Sequence, residues 1–119
     1  MYRRGVIATS AQVLARFGHA LSDPTRSRLL LALREAPGYP AELADLLGVS
    51  RQSLSNHLAC LRGHGLVVAV PEGRRVRYEI TDARLSHALG DLLGVVLAVG
   101  DDHAEEACAR PAAGQEARS

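Results

Sequence analysis

Apolar residues fall at helical spacing along most of the chain and switch to alternation once, between Leu66 and Ile80. The clearest helical stripe is Leu54, Leu58 and Leu61, at i, i+4 and i+7, which marks one buried side of a helix running from Arg51 to about His64. Just upstream, Leu43, Leu46 and Leu47 give a shorter helix an apolar side, opened by Pro40 and stopped by Gly48. Ser50 stands where a hydroxyl accepts a hydrogen bond from a first-turn amide. Two helices joined at the corner Gly48-Val49-Ser50 read as a helix-turn-helix.

The flanking pattern completes the architecture. Residues 1–8 read as a loose basic arm, and a helix is expected from Thr9 or Ser10, with Val13, Leu14, Phe17 and Leu21 at helical spacing. Asp23-Pro24 is a start signal, because Asp caps and Pro occupies the first helical position, where its missing amide costs nothing. The helix it opens runs through Arg28–Leu33 and ends near Ala36-Pro37-Gly38. After Gly65, Leu66–Val70 is β-prone and Pro71-Glu72-Gly73-Arg74 is a turn. Val76, Tyr78 and Ile80 then alternate with Arg75, Arg77 and Glu79. This is a hairpin with an apolar face and a basic face, the wing of a winged helix-turn-helix. Thr81 or Asp82 caps a last helix from about Ala83 to Val99, apolar nearly all round. Such a helix must be covered on more than one side. In a small chain the simplest cover is a second copy of the same helix, with the first helix beside it. After Gly100 the polar sequence reads as a mobile tail. The predicted fold is mainly α with a β-hairpin wing, dimeric. Residues 1–8 are the arm, 9–100 the DNA-binding and dimerisation domain, and 101–119 the tail.

Charge sharpens this picture. The net charge of +1 over 119 residues hides a division: residues 1–78 carry +6 and residues 79–119 carry −5. A basic first part is what a face meeting phosphate requires. On the fourth helix Arg51, Gln52, Ser55, Asn56 and Arg62 lie off the leucine stripe and suit base edges and phosphates. Arg74, Arg75 and Arg77 on the wing suit the backbone or the minor groove. Two such helices in a homodimer match successive major grooves of a palindromic double-stranded operator. With no apolar run of about 18 residues and no apolar signal core after Arg3-Arg4, no membrane role and a cytoplasmic location are expected. No nucleophile–base pair, phosphate-cradling glycine loop or carboxylate pair suggests an enzyme.

Asp23-Pro24-Thr25-Arg26, Glu42-Leu43-Ala44, Ser55-Asn56-His57-Leu58, Leu61, Gly65-Leu66-Val67 and the Gly73-Arg74 wing together resemble the ArsR/SmtB family. These are bacterial homodimeric winged-helix repressors that often leave DNA on binding a metal. The resemblance spans roughly residues 10–100 and places Ser53 and His57 within the DNA-reading helix. Cys60-Leu61-Arg62-Gly63 and Val95-Val96-Leu97-Ala98-Val99 are similar to the actinobacterial cadmium/lead-sensing members. Two of the family's metal sites have no counterpart here: Glu42–Leu46 carries no cysteine, and Ser86, His87 and Asp91 lack the spacing of the last-helix site. The cadmium/lead type uses two cysteines four apart on the recognition helix and a third from the tail, which can belong to the other subunit. Cys60 matches the first and His64 replaces the second. Without a gap the tail cysteine falls near Glu105, so Cys108 fits only a longer tail, in which His103 or an acidic residue is a further donor.

Residues four apart on a helix differ by only about 40° in direction, so Cys60 and His64 can reach one ion. A thiolate and an imidazole suit Cd(II) or Zn(II) as inducer, with Pb, Ni, Co and Cu as further candidates. Loss of the second thiolate disfavours Pb(II). The expected metal set is Cys60, His64, Cys108 and His103, while His19 and His87 read as ordinary surface or interface histidines. Two alternatives stay open: a redox or reactive-sulfur sensor switching Cys60 and Cys108, and a ligand-independent DNA-binding regulator with Cys60 in the core.

Overall fold

A computed structural model describes the backbone of residues 4–114 and the side chains of residues 4–98. The order is α1 (Arg4–Leu21), α2 (Pro24–Glu35), α3 (Pro40–Leu47), α4 (Arg51–Gly63), β1 (Val67–Glu72), β2 (Arg75–Ile80) and α5 (Ala83–Gly114). Two compact units divide the chain between Leu85 and Ser86.

The first unit is built on leucines at helical spacing. Leu29, Leu30 and Leu33 of α2, Leu43 and Leu47 of α3, and Leu54, Leu58 and Leu61 of α4 are all buried, with Val67 of β1 joining them. Helix α3 ends where Gly48 adopts a left-handed φ of 71°, and its amide bonds Asp45 O. Ser50 accepts from the Ser53 amide at 3.0 Å and caps α4, which starts at Arg51. The Arg28 guanidinium donates to Leu47 O at 3.0 Å and ties α2 to the end of α3. Together these contacts fix the corner of the helix-turn-helix.

The α1–α2 junction is held by polar groups. Arg26 Nε donates to Ala20 O and Arg26 Nη2 to His19 O, both at 2.9 Å, while Ser27 Oγ donates to Leu21 O. Carbonyls at the end of a helix lack intrahelical partners, and here α2 supplies them. Asp23 in turn accepts from the Arg26 amide at 3.0 Å. That bond, foremost, holds the Asp23 carboxyl below its ordinary value.

Strands β1 and β2 pair antiparallel, with Val67 opposite Ile80 and Glu72 opposite Arg75. Tyr78 exchanges both backbone bonds with Gly38, at 2.8 and 2.9 Å, which joins the hairpin to the segment between α2 and α3. Pro71 and Glu72 belong to β1, so the turn is the two residues Gly73-Arg74, shorter than the four expected. Gly73 at φ 60° supplies the backbone that a tight hairpin needs.

Both ends of the helical pattern extend further than the sequence reading placed them. Helix α1 begins at Arg4, inside the expected arm, because Ile7 leads Leu14 and Leu21 at two-turn spacing and continues one face. Helix α5 runs to Gly114 rather than ending near Val99. The segment beyond Gly100 is rich in Ala and Glu, both strong helix formers, so its polarity did not signal an end. Asp82 caps α5 as expected, accepting from the Arg84 amide at 2.8 Å, and its carboxyl is lowered to about 2, chiefly by the Arg84 side chain. Val6, Ile7, Val13 and Leu14 on α1, and Leu92, Val95, Val96 and Leu97 on α5, are exposed apolar groups.

Leu54→Ala, at a site with 0% exposure, is expected to cost about 2–5 kcal/mol in urea unfolding. Leu46→Ala, at a site 67% exposed, should stay within about 0.5 kcal/mol. The lowered Asp23 carboxyl favours the folded state above the unfolded pKa, and this contribution is lost as pH falls through the folded value. Acid unfolding of Asp23→Asn should therefore show a weaker pH dependence below about pH 4 than the parent chain.

Candidate nucleic-acid interface and metal centre

Burial of Leu54, Leu58 and Leu61 sets the rotation of α4 and turns its other faces outward. Arg51, Gln52, Ser55, Asn56 and Arg62 are all exposed, as the helical spacing predicts. Gln52 Nε2 donates to Asn56 Oδ1 at 3.1 Å, so these two amides form an ordered pair on the surface. Each keeps further donor and acceptor capacity for a base edge.

Ser53 and His57 lie differently. Both are half-buried, and Ser53 carries the amide that Ser50 caps. His57 Nε2 is 3.6 Å from Asp23 Oδ2, so its ring faces the start of α2. This histidine ties α4 to the α1–α2 junction and stands off the exposed donor face.

On the wing the three arginines separate. Arg77 pairs with Glu72 Oε2 and sits 3.4 Å from Glu79 Oε1, with its side chain only 29% exposed. Arg75 lies 3.5 Å over the Tyr39 ring and bonds Glu42 Oε2 at 2.9 Å. The Tyr39 hydroxyl donates to Glu72, which raises the Tyr39 pKa. Glu72, Tyr39, Arg75, Glu42 and Arg77 therefore form one network bracing the hairpin against α3. Arg74, at the turn, is exposed, and among the described residues no acidic group pairs with it. Alternation along β2 could not separate these roles, because Glu72 of β1 and Glu42 of α3 lie on other elements.

Cys60 is a free, half-buried thiol near the end of α4. His64 caps that helix, its amide bonding Cys60 O at 3.1 Å, so the two stay one turn apart as expected. A third donor stands with them: His19, near the end of α1. One ligand atom from each of His19, Cys60 and His64 lies within 4.8 Å of the other two. The two imidazoles meet edge to face, with centroids 5.6 Å apart. By sequence His19 reads as an ordinary surface or interface histidine, since it lies 41 residues before Cys60 and no spacing rule links them. The available signal was its place in the last turn before the Asp23-Pro24 start. His103 and Cys108 lie outside the residues whose side chains are described. A thiolate with two imidazoles is a recognised donor set for Zn(II) and neighbouring ions.

A helix-turn-helix domain family matches residues 21–70, from the end of α1 to β1. The chain is 58% identical over 89 residues to the HTH-type transcriptional regulator CmtR of Mycobacterium tuberculosis, covering 75% of each protein. The NMR structure of that cadmium metal-sensor matches with a TM-score of 0.60 at 57% identity, over 75% of this chain and 93% of that one. A homodimeric winged helix-turn-helix DNA-binding domain from Mycobacterium bovis matches with a TM-score of 0.69 at 28% identity, over 89% and 93%. Among the described residues no helix is long and apolar enough to cross a membrane.

The wing geometry separates two variants. Arg74→Ala should weaken operator binding about uniformly across sequences and lower the salt-dependence slope by about 1, as loss of a phosphate contact does. Arg77→Ala should instead lower the thermal midpoint, with a smaller change in that slope. Gel-shift titrations at several salt concentrations, with thermal unfolding beside them, check both.

Proposed function

The chain belongs to the ArsR/SmtB family of helix-turn-helix transcriptional regulators, and from that premise we propose that it is a repressor released from its operator by a divalent metal ion held through Cys60 and His64. The observation that carries this reading is the position of both donors at the carboxy-terminal end of α4, on the flank beside the face that carries Gln52, Ser55 and Asn56. DNA reading and metal binding then share one rigid element.

On the DNA side, Arg51, Gln52, Ser55, Asn56 and Arg62 enter the major groove and Arg74 touches the backbone beside it. Arg75 and Arg77 hold the wing in place, and His57 with Ser53 seats α4. The exposed apolar groups of α1 and α5 support a homodimer, which places two copies of α4 on a palindromic operator. On the metal side, Cys60 contributes a thiolate and His64 an imidazole. His103 and Cys108 of the tail supply the remaining donors, since Zn(II) and Cd(II) sites on thiolate and imidazole usually hold four ligands.

Cys60 and His64 would hold the ion, which would supply a fixed link between two half-buried side chains otherwise joined only through the backbone. Cys60 and His64 lie at the carboxy-terminal end of α4, beyond Gln52, Ser55 and Asn56. Fixing them favours one orientation of the helix within the dimer, and only an orientation matched to both half-sites binds DNA tightly. The donor set favours Zn(II) and Cd(II), with Co(II), Ni(II) and Cu close behind, over Pb(II).

Adding Cd(II) or Zn(II) to the reduced protein should lower operator affinity by about 5–150-fold, the usual range for allosteric coupling. Cys60→Ser should bind operator without metal and keep that affinity when metal is added. Unchanged affinity of the parent chain with every one of these ions would sink the reading. Fluorescence anisotropy on labelled operator gives both numbers.

A further inference from the structure

We infer that His19 is a metal ligand, so that His19, Cys60 and His64 of one chain form a three-donor site for a borderline divalent ion, bridging α1 to α4. This rests on the reading of Cys60 and His64 as a metal pair and adds the donor that makes the pair a site. Two ligands one helical turn apart hold an ion weakly. A third ligand on a different element makes binding of the ion an event that joins two parts of the fold.

The geometry supports this at three levels. One ligand atom from each of the three side chains lies within 4.8 Å of the other two. With Zn–S near 2.3 Å and Zn–N near 2.0–2.1 Å, neighbouring ligand atoms in a tetrahedron stand about 3.3–3.6 Å apart. The three donors thus need to close by little more than about 1 Å, within reach of side-chain rotation at the exposed His19.

The backbone beneath His19 is also fixed. Its carbonyl accepts from the Ser22 amide at 3.1 Å, Ser22 Oγ at 2.7 Å and Arg26 Nη2 at 2.9 Å. Ala20, next in sequence, has 0% exposure. The end of α1 is therefore anchored to α2, and the imidazole projects from a rigid base.

The donor types agree with one another as well. Two imidazoles and one thiolate suit Zn(II), Co(II) and Cd(II), whereas Pb(II) prefers a thiolate-rich set. His64 and His19 each bring nitrogen to an ion that Cys60 holds through sulfur. The regulatory consequence follows from α1. That helix carries the exposed apolar residues Val6, Ile7, Val13 and Leu14, a surface fit for a second copy, so the site couples a candidate dimer contact to the DNA-reading helix.

Titration of the full reduced chain with Co(II) tests this, read by the thiolate-to-metal charge-transfer band and the ligand-field bands. Even an outer partner of a metal site is worth about 10–100-fold in affinity, so His19→Ala should weaken Co(II) binding by at least about tenfold. The charge-transfer band should survive and the ligand-field bands should change. His19→Cys should restore affinity and strengthen the charge-transfer band. Circular dichroism and the metal-free unfolding midpoint establish that each variant is folded. If His19→Ala binds Co(II) with the parent's affinity and spectrum while Cys60→Ser loses the charge-transfer band, His19 is no ligand and the inference falls alone. If Cys60→Ser and His64→Ala both bind Co(II) as the parent does, the metal pair itself is wrong and both readings fall.

Discussion

Everything on α4 depends on the rotation that Leu54, Leu58 and Leu61 impose. Each is buried almost completely, so turning the helix by even a quarter would drive polar groups into the core and expose leucine. With that stripe inward, the donor-rich face carrying Gln52, Ser55 and Asn56 must point out, and Cys60 and His64 must sit on the flank beside it. Function here is a consequence of packing. The same three leucines that fold the domain decide which side chains of α4 stand exposed and which sit on its half-buried flank.

The flank is not left to the leucines alone. His57 reaches Asp23, Asp23 caps α2 through the Arg26 amide, and the Arg26 side chain closes the end of α1 at His19 and Ala20. This chain of polar contacts runs from the recognition helix to the base of His19 without a gap. It brings the first helix into register with the fourth, and it explains why a histidine remote in sequence stands beside Cys60. The wing is braced in a comparable way, through Glu72, Tyr39, Arg75 and Glu42, which leaves Arg74 at its tip as the outward cation.

Much of this was legible in the sequence. Leucine spacing, the Asp23 and Ser50 caps and the alternation after Leu66 are local signals, and the elements they define follow the expected order. The donor face of α4 was legible for the same reason, because a helical stripe dictates its own opposite side. What escaped were relations between distant residues. His19 gives no local sign of a metal role, and Glu42 and Glu72, which pair with Arg75 and Arg77, lie on other elements. The two ends differ from the expectation set by composition: residues 1–8 read as a basic arm and the segment after Gly100 as a polar tail, where a continued apolar face extends α1 and helix propensity extends α5. The family resemblance supplied Cys60 and its partner position. It also drew attention to the tail, whereas the third donor that the geometry supplies stands on α1.

The central claim is that sulfur and imidazole from this chain hold one ion at the end of the recognition helix. X-ray absorption spectroscopy of the Zn(II)-loaded protein addresses it most directly, since it identifies the atoms bound to the metal. The account predicts sulfur in the inner coordination sphere together with the outer scattering characteristic of imidazole, and loss of the sulfur contribution in Cys60→Ser. A sphere of oxygen atoms without sulfur, or a sulfur sphere without imidazole scattering, would contradict it.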